Sequence, residues 1–203
     1  SADVWVLEEP TKRGAGQVNR VIEQNRSVYD FEETIDGNSA ALCHQAYRID
    51  EFYRIRKILR ESNKIIIRSR SEESACYQIY DKIENPKGIN LRQYLSLPGN
   101  RLAFKYPPTH LFVVCGPENW DKKEYQKFKA SRAKGRVLDD YESDEGYQLF
   151  VNRRYASGWL EELYRNACKE NNSGTPKIYR FDIYASKECI MLDMKNKLDK
   201  IIK

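Results

Sequence analysis

Charge gathers at one place in this chain where it could bind something. Arg68, Ser69, Arg70, Ser71, Glu72, Glu73 and Ser74 follow directly on the run Ile65-Ile66-Ile67. A short β-branched run of that kind is expected as a strand buried on both faces. Ligands of open α/β sheets bind outside the carboxyl ends of the strands, so this charge would lie at a binding edge. The competing reading is a solvated loop with a capped helix start, since an apolar helical pattern resumes with Ala75, Cys76 and Ile79. On that reading Glu72 and Glu73 are acids favoured by the helix macrodipole. A second group of cations, Arg132, Lys134 and Arg136, lies in the segment ASRAKGR.

Composition narrows the chemistry. The 203 residues carry 35 basic and 30 acidic side chains, a net charge of +5. That balance fits small phosphate-bearing ligands without demanding nucleic acid. The five cysteines (43, 76, 115, 168 and 189) are far apart, with no CxxC pair. They are expected as buried free thiols of a reducing compartment. His44 and His110 are too isolated to argue for a metal, and no nucleophile–base constellation is present. No stretch approaches the roughly 18 apolar residues that cross a membrane. The start SADVWVLEEP is neither a signal nor a transit peptide, so the cytoplasm is the default.

The elements that must position these groups alternate. Strands are expected at Val4 to Leu7, at KIII, at Leu111 to Val114 and at Lys177 to Ala185. Helices are expected at Gln17 to Gln24, from Ser39 to about Glu61, at Glu72 to Ile83, Leu91 to Leu97, Asp121 to Ala133, Asp144 to Glu170 and Lys187 to Lys203. Alternation of this kind implies a parallel sheet flanked by helices in a three-layer α/β fold. No repeat, low-complexity tract or linker interrupts it, and residues 1–203 are read as a single domain.

Taken in order, these segments resemble the thymidylate kinase family of P-loop nucleoside monophosphate kinases. The family's Arg-Glu-Pro-Gly-Gly type loop has a counterpart in VLEEPTKRGAG, and its Phe-x-x-x-Arg helix element in His44-Gln45-Ala46-Tyr47-Arg48. Its Ser-x-x-Ala-Tyr-Gln element resembles Ser74-Ala75-Cys76-Tyr77-Gln78. Pro107-Pro108-Thr109 and Gly116-Pro117-Glu118 resemble the fourth strand and the helix after it. Arg132, Arg136, Asp139 and Glu142 fit the lid, at about 130–143, and Phe181 to Ser186 resembles the end of the last strand.

The departures are as specific as the matches. G-x-x-x-x-G-K-[ST], whose backbone wraps nucleotide phosphates, does not occur in the chain. The first strand and P-loop are therefore expected to be missing ahead of Val4. Arg68-Ser69 falls where the family has Asp-Arg, and a cation cannot organise Mg²⁺. Glu8 stands where many members carry a basic residue, for which Lys12 and Arg13 could compensate.

The resemblance implies an α/β P-loop NTPase-like fold and transfer of the ATP γ-phosphoryl group to a deoxynucleoside monophosphate, dTMP first, with Mg²⁺. It implies that Glu9, Pro10 and Arg13 line the acceptor loop, that Arg48 holds the acceptor phosphate and that His44 stacks on its base. Ser74, Tyr77 and Gln78 would contact the acceptor, Ser74 and Gln78 reading the base edge. Arg70 replaces the missing arginine, Arg132 and Arg136 clamp the transferring group, and Asp182 and Ser186 lie near the adenine. A homodimer through the helix from Ser39 would follow the family. The alternative is a degenerate relative that binds nucleotide or a protein partner without turnover. A nucleic-acid module on Lys122, Lys123, Lys127, Lys129, Arg132, Lys134 and Arg136, with Tyr125 and Phe128, is weak because acids interleave.

Overall fold

Parallel strands cannot be joined by a hairpin, so each pairing in this chain encloses a helical crossover. A computed structural model describes residues 3–8, 17, 37–59, 64–70, 72–79, 89–132 and 144–202. These fall into two compact units, each described by itself: Ser1–Pro107 with Ala167–Ser173, and Pro108–Asn166 with Gly174–Lys203. Among the described residues the expected continuous sheet is present as two parallel pairs, one in each unit.

In the first unit β1 (Asp3–Glu8) pairs with β2 (Lys64–Ser69), Asp3 opposite Lys64 and Glu8 opposite Ser69. Between them runs α1 (Gly37–Leu59). Gln45, Arg48, Glu51 and Phe52 recur at helical spacing on its buried face, whereas Asp50 and Arg54 form an exposed ion pair one turn apart. β2 departs from expectation: Ile65 and Ile66 are half-buried and Ile67 is exposed. Its one bonded neighbour among the described strands is β1, itself exposed at Val4, Trp5 and Val6.

The expected helix from Glu72 to Ile83 is shorter. A 3₁₀ turn, Glu72–Ser74, leads into α2 (Ala75–Gln78), and Ile79 leaves it extended to bridge in parallel to Ile89. A β-branched residue accepts that exit readily. Next come α3 (Leu91–Ser96), whose Asn90 side chain accepts from the Gln93 N–H, and α4 (Pro98–Lys105), started by a proline at its first position. Tyr47, Cys76, Tyr94, Phe104 and Cys168 form the interior of this unit.

In the second unit β3 (His110–Cys115) pairs with β4 (Lys177–Asp182). α5 (Lys122–Arg132), α6 (Glu145–Ala156) and α7 (Trp159–Glu170) lie between them in sequence. The single helix expected from Asp144 to Glu170 is broken, because Ser157 is extended (ψ −179°) and Gly158 follows. β4 ends at Asp182, three residues early, where the Asp182 carboxylate accepts the Tyr184 N–H at 2.9 Å and turns the chain. α8 (Lys187–Ile202) closes the chain with no residue buried, although Ile190, Leu192, Leu198 and Ile201 promised an apolar face. The thiols differ likewise: Cys76 and Cys168 are buried and Cys115 half-buried, but Cys189 is exposed on α8.

Gly116, just past β3, is held by Asn152, whose side-chain oxygen accepts the Gly116 N–H at 2.8 Å while its amide donates to the Pro117 carbonyl. A Cβ at Gly116 would stand 2.4 Å from the Trp120 ring. That ring cannot swing aside freely: its N–H donates to the Tyr184 hydroxyl at 2.7 Å, and Tyr125 and Phe128 pack on it. Gly116→Ala is expected to cost about 1–3 kcal/mol, the usual cost of overpacking, read as a lower denaturant midpoint by tryptophan fluorescence.

Candidate functional site

The carboxyl end of β2 brings most of the expected acceptor residues into one unit. Arg70, the first described residue after the strand, has φ 69°. Left-handed backbone costs a side-chain-bearing residue about 1 kcal/mol or more. The conformation carries the Arg70 guanidinium over the Tyr77 ring, 5.7 Å from its centroid. Ser74 is buried at the start of α2, where its side chain makes no cap hydrogen bond. Gln78 ends α2; its side chain is not among those described.

From α1 come His44, Arg48 and Glu51. His44 is half-buried; its Nδ1 and the Tyr47 hydroxyl share a 2.6 Å hydrogen bond, with the rings edge-on at 5.3 Å. Arg48 is only 3% exposed. It donates to the Tyr94 hydroxyl at 3.2 Å and to the Asn100 side-chain oxygen, which also accepts from Gln45. Asn100 in turn donates from Nδ2 to the Tyr94 carbonyl at 2.7 Å, and the Tyr94 hydroxyl donates to the Glu72 carbonyl at 3.2 Å. Gly99 permits this: a Cβ there would meet Gln45 Oε1 at 2.7 Å and Arg48 Cβ at 3.0 Å.

Arg68 was expected as a cation at the binding edge. It donates instead to Glu51 at 2.6 Å and reaches Glu72 at 3.5 Å. Sequence reasoning missed Glu51, Tyr94, Asn100 and Gly99. The one signal available for the last three was Pro98, which marks a helix start and so a second element near α1.

In the second unit the carboxyl ends of β3 and β4 open on a cleft of about 240 Å³ lined by Cys115, Gly116, Pro117, Arg180, Phe181, Asp182 and Tyr184. Beside it Glu124, Lys127, Phe128, Ser131 and Tyr184 line a wider one of about 430 Å³. The expected Asp182 lies on the smaller cleft, while Ser186 accepts the Cys189 N–H and starts α8. Burial pushes the Cys115 thiol above its ordinary value against the opposing pull of Arg180, the reverse of an activated nucleophile. The expectations for Glu9, Pro10, Arg13 and Arg136, for most of the lid and for a helix at Gln17 to Gln24 lie outside the described residues, as does the side chain of Arg132.

A magnesium ion does not fit the described side chains at the carboxyl end of β2, because the cation between Glu51 and Glu72 is already Arg68. Among the described residues no group of three or more His, Cys, Asp or Glu is arranged to hold a metal. No helix among them is long and apolar enough to cross a membrane.

Parallel strands with helical crossovers make this a mixed α/β fold. The chain is similar to the structure of thymidylate kinase from Candida albicans, with a TM-score of 0.52 at 16% identity, over 98% of this chain and 82% of that one. At that identity the likeness is one of fold. No family model matches the chain, and no curated protein matches it in sequence.

Arg180 does not face its cleft alone. Its guanidinium takes Glu161 in a two-pronged pair, at 2.6 and 2.8 Å, and donates from Nε to the Tyr155 carbonyl at 2.8 Å. The hydrogen bonds from Arg180 hold the Glu161 carboxyl below its ordinary value of 4.5. A depressed carboxyl contributes stability above its unfolded pKa and loses it as pH falls through the folded one. Glu161→Gln is therefore expected to lower the urea midpoint near neutral pH, and the gap to wild type to close as pH drops below 4.5.

Proposed function

We propose that the chain is a nucleotide kinase that transfers the ATP γ-phosphoryl group to a deoxynucleoside monophosphate, with dTMP the first acceptor to try. The observation that carries this reading is the fold likeness to a thymidylate kinase over nearly the whole chain, together with Ser74-Ala75-Cys76-Tyr77-Gln78 five residues past the end of β2. That neighbour's structure is described as revealing the origin of broad substrate specificity, which argues for testing several acceptors.

In this reading Arg70 takes the place of the family's strand-end arginine, His44 meets the acceptor base, Ser74, Tyr77 and Gln78 its edge and flank, and Glu9, Pro10 and Arg13 line the acceptor as well. Arg48, expected on the acceptor phosphate, is only 3% exposed and bonds Tyr94 and Asn100. Arg132 and Arg136 act from a lid at 130–143 of a single kinase-like domain, and Asp182 and Ser186 lie by the adenine. ATP with Mg²⁺ supplies the phosphoryl group; the protein supplies positioning and cation clamps, which suffice for this chemistry without a protein nucleophile. A homodimer and a cytoplasmic setting belong to the same reading.

One observation favours a second reading, a nucleotide binder without turnover: Arg68 stands where the family has an acid, and it is paired with Glu51 and Glu72.

ADP release in the presence of dTMP, dUMP, dCMP and dAMP separates the two. Turnover with any acceptor supports the kinase. A melting temperature raised by dTMP without turnover leaves the binder, and no response to any nucleotide removes both. Arg70→Gly gives a residue-level check. Glycine tolerates φ 69°, so fold stability is expected to hold or rise while dTMP binds about tenfold more weakly, the loss of one charge-assisted contact.

A further inference from the structure

Three carboxylates are buried where β2 gives way to the 3₁₀ turn: Glu51 on α1, and Glu72 and Glu73 in the turn itself. The side chains of Glu51 and Glu72 are 4% and 0% exposed, whereas Arg68 between them is 21% exposed. Like charges taken out of water repel strongly, so two buried carboxyl groups converge around a cation or a shared proton. Arg68 provides the cation, through one guanidinium nitrogen to Glu51 Oε2 at 2.6 Å and the other to Glu72 Oε1 at 3.5 Å. The second oxygen of Glu72 is also buried and makes no hydrogen bond among the described residues, so that carboxylate retains an unfilled ligating position.

Two carboxylates from different elements, one with an oxygen to spare, form the donor set with which proteins commonly hold a hard divalent ion alongside water. We propose that Arg68 is the resident cation of this site, standing where a divalent ion would otherwise sit, so that the carboxyl edge of β2 neither binds nor needs metal. A covalently tethered guanidinium competes at a high effective concentration, which an ion in solution must outmatch to displace it. The inference holds whether or not the chain turns over nucleotide.

Its test uses the full chain and Mn²⁺ alone, with binding read by electron paramagnetic resonance and stability by melting temperature. Wild type is expected to keep the same melting temperature with and without millimolar Mn²⁺. Arg68→Ser, which removes the guanidinium from Glu51 and Glu72, is expected to melt lower, to take up one Mn²⁺ and to regain stability with it. Glu51→Gln and Glu72→Gln added to Arg68→Ser are expected to abolish that uptake. If Arg68→Ser does not fold alone, refolding in Mn²⁺ is the readout, and recovery of the fold supports the site. The proposal is overturned if wild type binds Mn²⁺ in a way that Glu51→Gln with Glu72→Gln removes. It is equally overturned if Arg68→Ser folds and takes up no Mn²⁺, or stays unfolded in its presence.

Discussion

Taking a guanidinium out of water costs on the order of several kcal/mol unless its N–H groups meet acceptors, and that cost organises the first unit around Arg48. The acceptors come from Tyr94 on α3 and Asn100 on α4, so both helices must lie against α1 in one register. Asn100 fixes the register by holding Gln45 and the Tyr94 carbonyl as well, and the absent side chain of Gly99 gives the backbones room. Through the Tyr94 hydroxyl the same network reaches the Glu72 carbonyl, and so the turn that follows β2. A buried network of this kind tolerates little partial loss, since each group left unmatched keeps its full desolvation cost.

The order of strands and helices was legible in the sequence because periodicity reports which face of an element meets the interior. The unread parts are those where periodicity is silent. Ser157-Gly158 looks like two tolerable residues inside a helical pattern, yet the chain turns extended at Ser157, and across that break Arg154 lies 4.1 Å from the Phe150 ring centroid and 4.5 Å from that of Trp159. α4 follows α3 with one residue between them, too little for a pattern to reset. α8 shows the opposite failure: its apolar positions recur as a buried face would, yet a helix's period does not say whether anything covers it.

At the candidate site the residue types were legible but not their partners. Arg68, Arg70, Ser74 and Tyr77 stand out as chemistry at a strand end. Nothing local reveals that Glu51, seventeen positions before Arg68, would claim its guanidinium. The same holds for the positive φ of Arg70, since an arginine is not a residue type that advertises left-handed backbone.

The pairing of Arg180 with the corner between α6 and α7 also bears on the order of assembly. Its guanidinium donates to the Tyr155 and Ser157 carbonyls at the end of α6 and holds Glu161 in the first turn of α7. Helix ends leave carbonyls unsatisfied, and here the group that satisfies them lies more than twenty residues further on. During synthesis both helices are therefore complete before their cap exists. The residue that satisfies this corner is carried on β4, so the same strand that pairs with β3 also completes the end of α6 and the first turn of α7.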